Sequence, residues 1–97
     1  MKELTDVLYL IKENPDEYIG TRSLERLYCF IHGYAKCQYI KDGTTPIWLE
    51  EFMSYLQEKY SEKRCIGVPS IIRQITLSDE EAFTKYYELL EDFFHNV

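Results

Sequence analysis

Three prolines set the limits on what this chain can become. Pro15, Pro46 and Pro69 each lack a backbone N–H, and a proline ring fixes φ at about −65°, so each either opens a helix or ends the element before it. Around them apolar residues recur at helical spacing, and no segment alternates polar and apolar in the manner of a half-buried strand. The fold class that follows is all-α, a compact bundle of four to five helices.

Leu4, Val7, Leu8 and Ile11 predict a first helix over 3–13, stopped by Pro15. The segment PDEYIG, with Pro15 and Gly20 at its ends, reads as a turn whose Tyr18 and Ile19 tuck under the bundle. Thr21 or Ser23 can cap a second helix that runs to about Ile40, lined by Leu24, Leu27, Tyr28, Ile31, Tyr34, Ala35 and Tyr39. KDGTTP breaks the chain, and Thr45 followed by Pro46 signals a third helix over about 46–60 with Trp48, Leu49, Phe52, Met53, Leu56 and Tyr60 inward. After a loop, Ile71, Ile72 and Ile75 give a short helix, with a strand as the alternative. Ser78 and Glu81 form a capping-box pattern that opens the last helix, which extends to about Phe94 on a stripe of Ala82, Phe83, Tyr86, Tyr87, Leu89, Leu90, Phe93 and Phe94. Gly33 sits inside the second helix, where glycine costs about 1 kcal/mol relative to alanine. Close approach of another helix or a ring is the expected reason.

Ninety-seven residues, 45% of them hydrophobic, suit a single domain over 1–97 with one core. No apolar run approaches the roughly 20 residues of a membrane span, and Glu3 and Asp6 occupy the place where a signal peptide is basic. A cytoplasmic protein with no membrane partner is expected. Cys29, Cys37 and Cys65 are an odd number, which fits free, buried and inert thiols in a reducing compartment. The formal charge of −6 is uneven: in 77–97 six carboxylates face the single base Lys85, giving −5. Such a balance repels phosphate and argues against nucleic acid, while it suits a basic protein partner.

The stretch YIGTRSLERLYCFIHGY places Tyr18, Gly20, Ser23, Leu27, Phe30, Gly33 and Tyr34 in the pattern Y-x-G-x-x-S-x-x-x-L-x-x-F-x-x-G-Y. It resembles the signature of small bacterial helical proteins that are uncharacterised or grouped with the immunity proteins of polymorphic toxin systems. The Trp48 and Phe52 segment and the acidic closing helix continue the likeness over most of the chain. The segment KRCIGVPSIIRQI departs from it, since related sequences often carry another tryptophan there. The resemblance implies an antitoxin that binds and blocks a cognate toxin domain.

Other chemistries have weaker patterns. Cys29 and Cys37 differ by about 80° around a helix and His32 and Cys37 by about 140°, and no C-x-x-C pair exists, so neither a metal site nor a cofactor is expected. Asp92 and His95 are three apart, but no serine or cysteine motif goes with them, and no catalytic residue or enzymatic activity is assigned. Binding residues are sought instead among Glu81, Glu88, Glu91 and Asp92 on the last helix and Glu50, Glu51 and Glu58 on the third, an acidic face for a basic toxin domain. Two rivals stand beside this reading. One is a homodimeric adaptor joined through Phe83, Tyr87, Leu90 and Phe94; the other is a small-molecule pocket around Cys29, His32 and Trp48.

Overall fold

A computed structural model describes residues 3–95, and among the described residues there are six helices and no strand. The fold is all-α, with one helix more than the four to five expected. The chain divides into two compact units on either side of Pro46, three helices in each.

In the first unit α1 (Leu4–Glu13) packs against α2 (Pro15–Tyr18) and α3 (Leu24–Asp42). Leu4, Leu8 and Ile11 are buried here, as are Pro15, Leu24, Leu27 and Ile31. The extra helix is α2, where a turn was expected. Pro15 opens it because a first-turn N–H has no intrahelical partner to lose, and the Pro15 carbonyl accepts from the N–H groups of Ile19 (2.9 Å) and Gly20 (3.1 Å). Tyr18 is exposed and Ile19 half-buried, so the apolar pair does not tuck under as expected. Gly20 then turns the chain with φ 88°, and Arg26 reaches back to donate from Nη1 to the Ile19 carbonyl at 3.0 Å. A Cβ on Gly20 would come within 2.5 Å of that same nitrogen. The left-handed backbone therefore favours glycine, and a Cβ would also displace the end of the Arg26 side chain.

Ser23, not Thr21, caps α3, accepting from the Arg26 backbone N–H at 3.3 Å. Gly43 closes the helix in the left-handed conformation, its N–H donating to the Tyr39 carbonyl at 2.7 Å. Only the first half of α3 enters a core. After Ile31 no residue of the helix is buried; the expected lining residues Tyr34 and Ala35 are half-buried and Tyr39 is 56% exposed. Gly33 is also exposed, and a Cβ built there would meet nothing within 4 Å. Among the described residues the close approach expected at this glycine is not made.

In the second unit α4 (Trp48–Lys59), α5 (Val68–Arg73) and α6 (Asp79–His95) each pack on the other two. Helix α5 resolves the helix-or-strand choice at 69–75. Helix α4 begins two residues beyond Pro46: Ile47 precedes it in an already helical conformation, no side chain caps it, and Thr45 takes no capping role. Its first residue, Trp48, lies edge-on to Phe94 at 5.5 Å, so a tertiary contact stands at the helix start in place of a cap. At its other end Ser61 adopts φ 52°, the Glu62 N–H donates to the Gln57 carbonyl at 2.8 Å and the Ser61 N–H to that of Glu58 at 3.3 Å. That is a Schellman stop built without the usual glycine. Helix α6 is capped as expected, Ser78 Oγ accepting from the Glu81 N–H at 3.1 Å, and Arg73 at the end of α5 pairs with Asp79 at the start of α6.

The core of this unit holds a cluster of aromatic rings. Phe52 lies 5.6 Å from Tyr86 and 5.4 Å from Phe93, and Phe93 lies 5.4 Å from Tyr55. Seven of the eight residues in the α6 stripe are buried, Phe94 being the one left partly exposed at 36%. Of the expected homodimer contact through Phe83, Tyr87, Leu90 and Phe94, the first three are buried within this unit and Phe94 alone of the four is exposed.

Two substitutions test these turns. Gly20→Ala should lower the unfolding free energy by about 1–2 kcal/mol, the cost of a Cβ in the left-handed region, with loss of the Arg26 contact adding to it. Ser61→Gly should raise it by about 0.5–1 kcal/mol. Urea titration followed by circular dichroism reads both.

Candidate functional site

The seven carboxylates singled out from sequence all fall in the second unit, on α4 and α6. On α6, Glu81, Glu88 and Asp92 lie within about 40° of one another around the helix. All three are exposed, on the side away from the buried stripe. Glu91 stands to one side of them and is half-buried with an interaction of its own. On α4, Glu51 and Glu58 share one direction to within about 20° and Glu50 lies about 80° from Glu58. All three are exposed, and the inward residues of that helix are Phe52 and Leu56. Glu88 is partly neutralised by Lys85, whose Nζ is 3.7 Å away. The unit carries ten carboxylates against five bases, a net −5, while 1–46 carries −1. Five of the six net negative charges therefore belong to one unit.

Sequence reasoning missed one electrostatic feature there. In the loop between α4 and α5 the Glu62 carboxylate accepts from Arg64 Nε (2.8 Å), Nη2 (3.0 Å) and the Arg64 backbone N–H (3.0 Å). These bonds, the side-chain ones first, hold the Glu62 carboxyl down at about 2, and the Arg64 guanidinium is pushed up in return. The signal was present as Glu-x-Arg following a helix end, but a charge pair two apart in a loop looks the same whether or not it closes on itself.

Trp48 belongs to the second unit, whereas Cys29 and His32 lie on α3. An open groove of about 550 Å³ on α3 is lined by His32, Gly33, Ala35, Lys36, Tyr39 and Thr45, and Cys29 lines a different one with Ile19, Glu25, Arg26 and Phe30. His32 is engaged edge-on by Tyr28 at 4.7 Å, and burial pushes the Tyr28 hydroxyl pKa up. Cys29, Cys37 and Cys65 are free thiols as expected, but all three are exposed, not buried. The reason is that α3 turns its Cys29 and Cys37 side away from α1, and Cys65 lies in a loop. Among the described residues no three His, Cys, Asp or Glu side chains gather as a metal site would need, and no helix is long and apolar enough to cross a membrane. Asp92 and His95 are both exposed at the end of α6.

Compared with known proteins, the chain matches no family model, no curated protein and no solved structure. The assignment of a role rests on the residues themselves.

The Glu62 clamp has a pH signature. A carboxyl with a lowered folded-state pKa contributes stability that is full above its unfolded value and disappears as pH falls through the folded one. Glu62→Gln should therefore destabilise the protein modestly at pH 7. Its effect should shrink between pH 4.5 and about 2. Thermal melts of both proteins across that range give the answer.

Proposed function

We propose that this protein is a small binding inhibitor of the immunity type, which captures a basic toxin domain on the acidic side of α4 and α6 and blocks it by occlusion. The observation that carries this reading is the concentration of −5 in 47–97, with Glu50, Glu51, Glu58, Glu81, Glu88 and Asp92 exposed opposite the apolar residues of the two helices. The resemblance of the Tyr18 to Tyr34 stretch to immunity proteins supports the same class of partner.

Physically, such a surface acts first on encounter. Exposed carboxylates of one sign raise the association rate of a positively charged partner through their summed field, while specificity is left to the fewer groups that become desolvated at the contact. Nucleic acid is a poor occupant, since its phosphates would meet like charge. No bond is made or broken in this mechanism; inhibition is stoichiometric and stops when the complex dissociates. The protein acts in the cytoplasm in this scheme, where the cell's own toxin would otherwise find its target.

Affinity capture from the producing cell, with mass spectrometry of what is retained at low and released at high salt, identifies the partner. The expected product is a one-to-one complex with a basic protein domain. Charge reversal at Glu88 and Asp92 to lysine should slow association about tenfold at low ionic strength and flatten its salt dependence. Unchanged kinetics in stopped-flow binding would move the contact off α6.

A further inference from the structure

Helix α3 is longer than its core requires. Its buried residues end at Ile31, yet it continues for eleven more residues to Asp42 with none of them buried. A helical stretch of that length has little stability of its own in water, since isolated helices shorter than about 12–15 residues are marginal. It also carries Gly33 in open space and Ile40 at 80% exposure.

The residues on this exposed side have an order that a plain solvated face lacks. Glu25, Cys29, Gly33, Cys37 and Lys41 follow one another at four-residue intervals, forming a single ridge on α3, and all five are exposed. A two-fold axis at Gly33 exchanges positions equally distant from it. It brings Glu25 opposite Lys41, Cys29 opposite Cys37 and Gly33 opposite itself, with Arg26 opposite Ile40 closer to the centre line. The ridge is thus complementary to its own antiparallel copy: opposite charges meet at both ends, small side chains meet in the middle, and the bare glycine lets the backbones approach. The same ridge laid parallel would put Glu25 on Glu25 and Lys41 on Lys41.

We infer that α3 is the contact of a homodimer, two copies crossing antiparallel at Gly33 with their four-residue ridges against one another. That ridge arrangement belongs to the packing class whose axes cross at about 50°, and a two-fold contact uses the same patch on both copies. The glycine left unexplained inside the chain is then explained between chains. A crossing of one helix pair falls short of the roughly 1,200–2,000 Å² of a standard interface, so dissociation in the range of micromolar is the expected strength. The contact is separate from the acidic side of α4 and α6 and stands or falls independently of the partner proposed there.

Disulfide trapping in the full chain tests both the contact and its direction, with Cys65→Ser present throughout. Across the antiparallel crossing Cys29 faces Cys37 of the other copy, whereas two Cys29 residues lie about 12 Å apart along the helix axis, beyond the reach of a disulfide. Diamide supplies the oxidation: each new S–S bond releases two protons and two electrons, which reduce the diazene to its hydrazine. A mixture of Cys29→Ser chains with Cys37→Ser chains should give cross-linked dimer at least tenfold faster than either chain alone. Equal rates in all three samples, or cross-linking by the single variants alone, would overturn the antiparallel contact.

Sedimentation equilibrium supplies the second measurement. Gly33→Leu, at an exposed position where an added Cβ has open space, should keep the helical circular dichroism spectrum and weaken dimerisation at least tenfold. Glu25→Lys should weaken it several-fold, and Glu25→Lys with Lys41→Glu should restore it. A wild-type chain that stays monomeric at hundreds of micromolar, or a Gly33→Leu chain that dimerises as well as wild type, would overturn the inference.

Discussion

The ring of Phe52, set against Tyr86 and Phe93, is the contact on which the second unit depends. Each well-oriented aromatic pair adds about 0.5–1.5 kcal/mol to the larger gain from removing its area from water. Phe52 makes two such contacts across the α4–α6 seam, and Tyr55 adds one with Phe93. Once α4 and α6 commit their apolar arcs to that seam, the rest of each circumference faces solvent. The acidic character of the surface follows: the carboxylates occupy the arcs that packing leaves over, and few bases are placed among them.

The first unit is organised by a different device. Arg26 ties the turn after α2 to the first turn of α3 by donating to the Ile19 carbonyl, while its own backbone N–H satisfies the Ser23 cap. One residue thus fixes both the end of one helix and the start of the next. This accounts for several residues of the Tyr18 to Tyr34 stretch in structural terms. Gly20 makes room for the guanidinium, Ser23 caps, and Leu27 is buried. Gly33 does not belong to that frame, since among the described residues no packing neighbour stands within 4 Å of where its Cβ would be.

Two surfaces of opposite design result. The acidic side of α4 and α6 has a large net charge and is suited to attracting something unlike itself. The exposed ridge of α3 has its charges in opposed positions about a centre, so it is suited to its own copy. A net field acts at long range and governs rates, whereas a self-complementary ridge acts only at contact and governs register.

What the sequence alone determined was the helical class, the capped start of α6 at Ser78, the stripe from Ala82 to Phe93 and the outward position of the acidic residues. These are local or periodic properties: a cap needs only its own next turn, and a helix that buries one arc must expose the opposite one. Tertiary structure decided the rest. Thr45 and Pro46 carry a sound start signal, yet α4 begins at Trp48, where its ring meets Phe94. Tyr34, Ala35 and Tyr39 have core periodicity, but the buried residues of α3 end at Ile31, so these three stay partly or largely exposed. Cys29 and Cys37 are residue types usually found inside, and only the direction in which α3 packs on α1 put them outside. Periodicity states which residues share a face; only the fold supplies, or withholds, the surface that covers it.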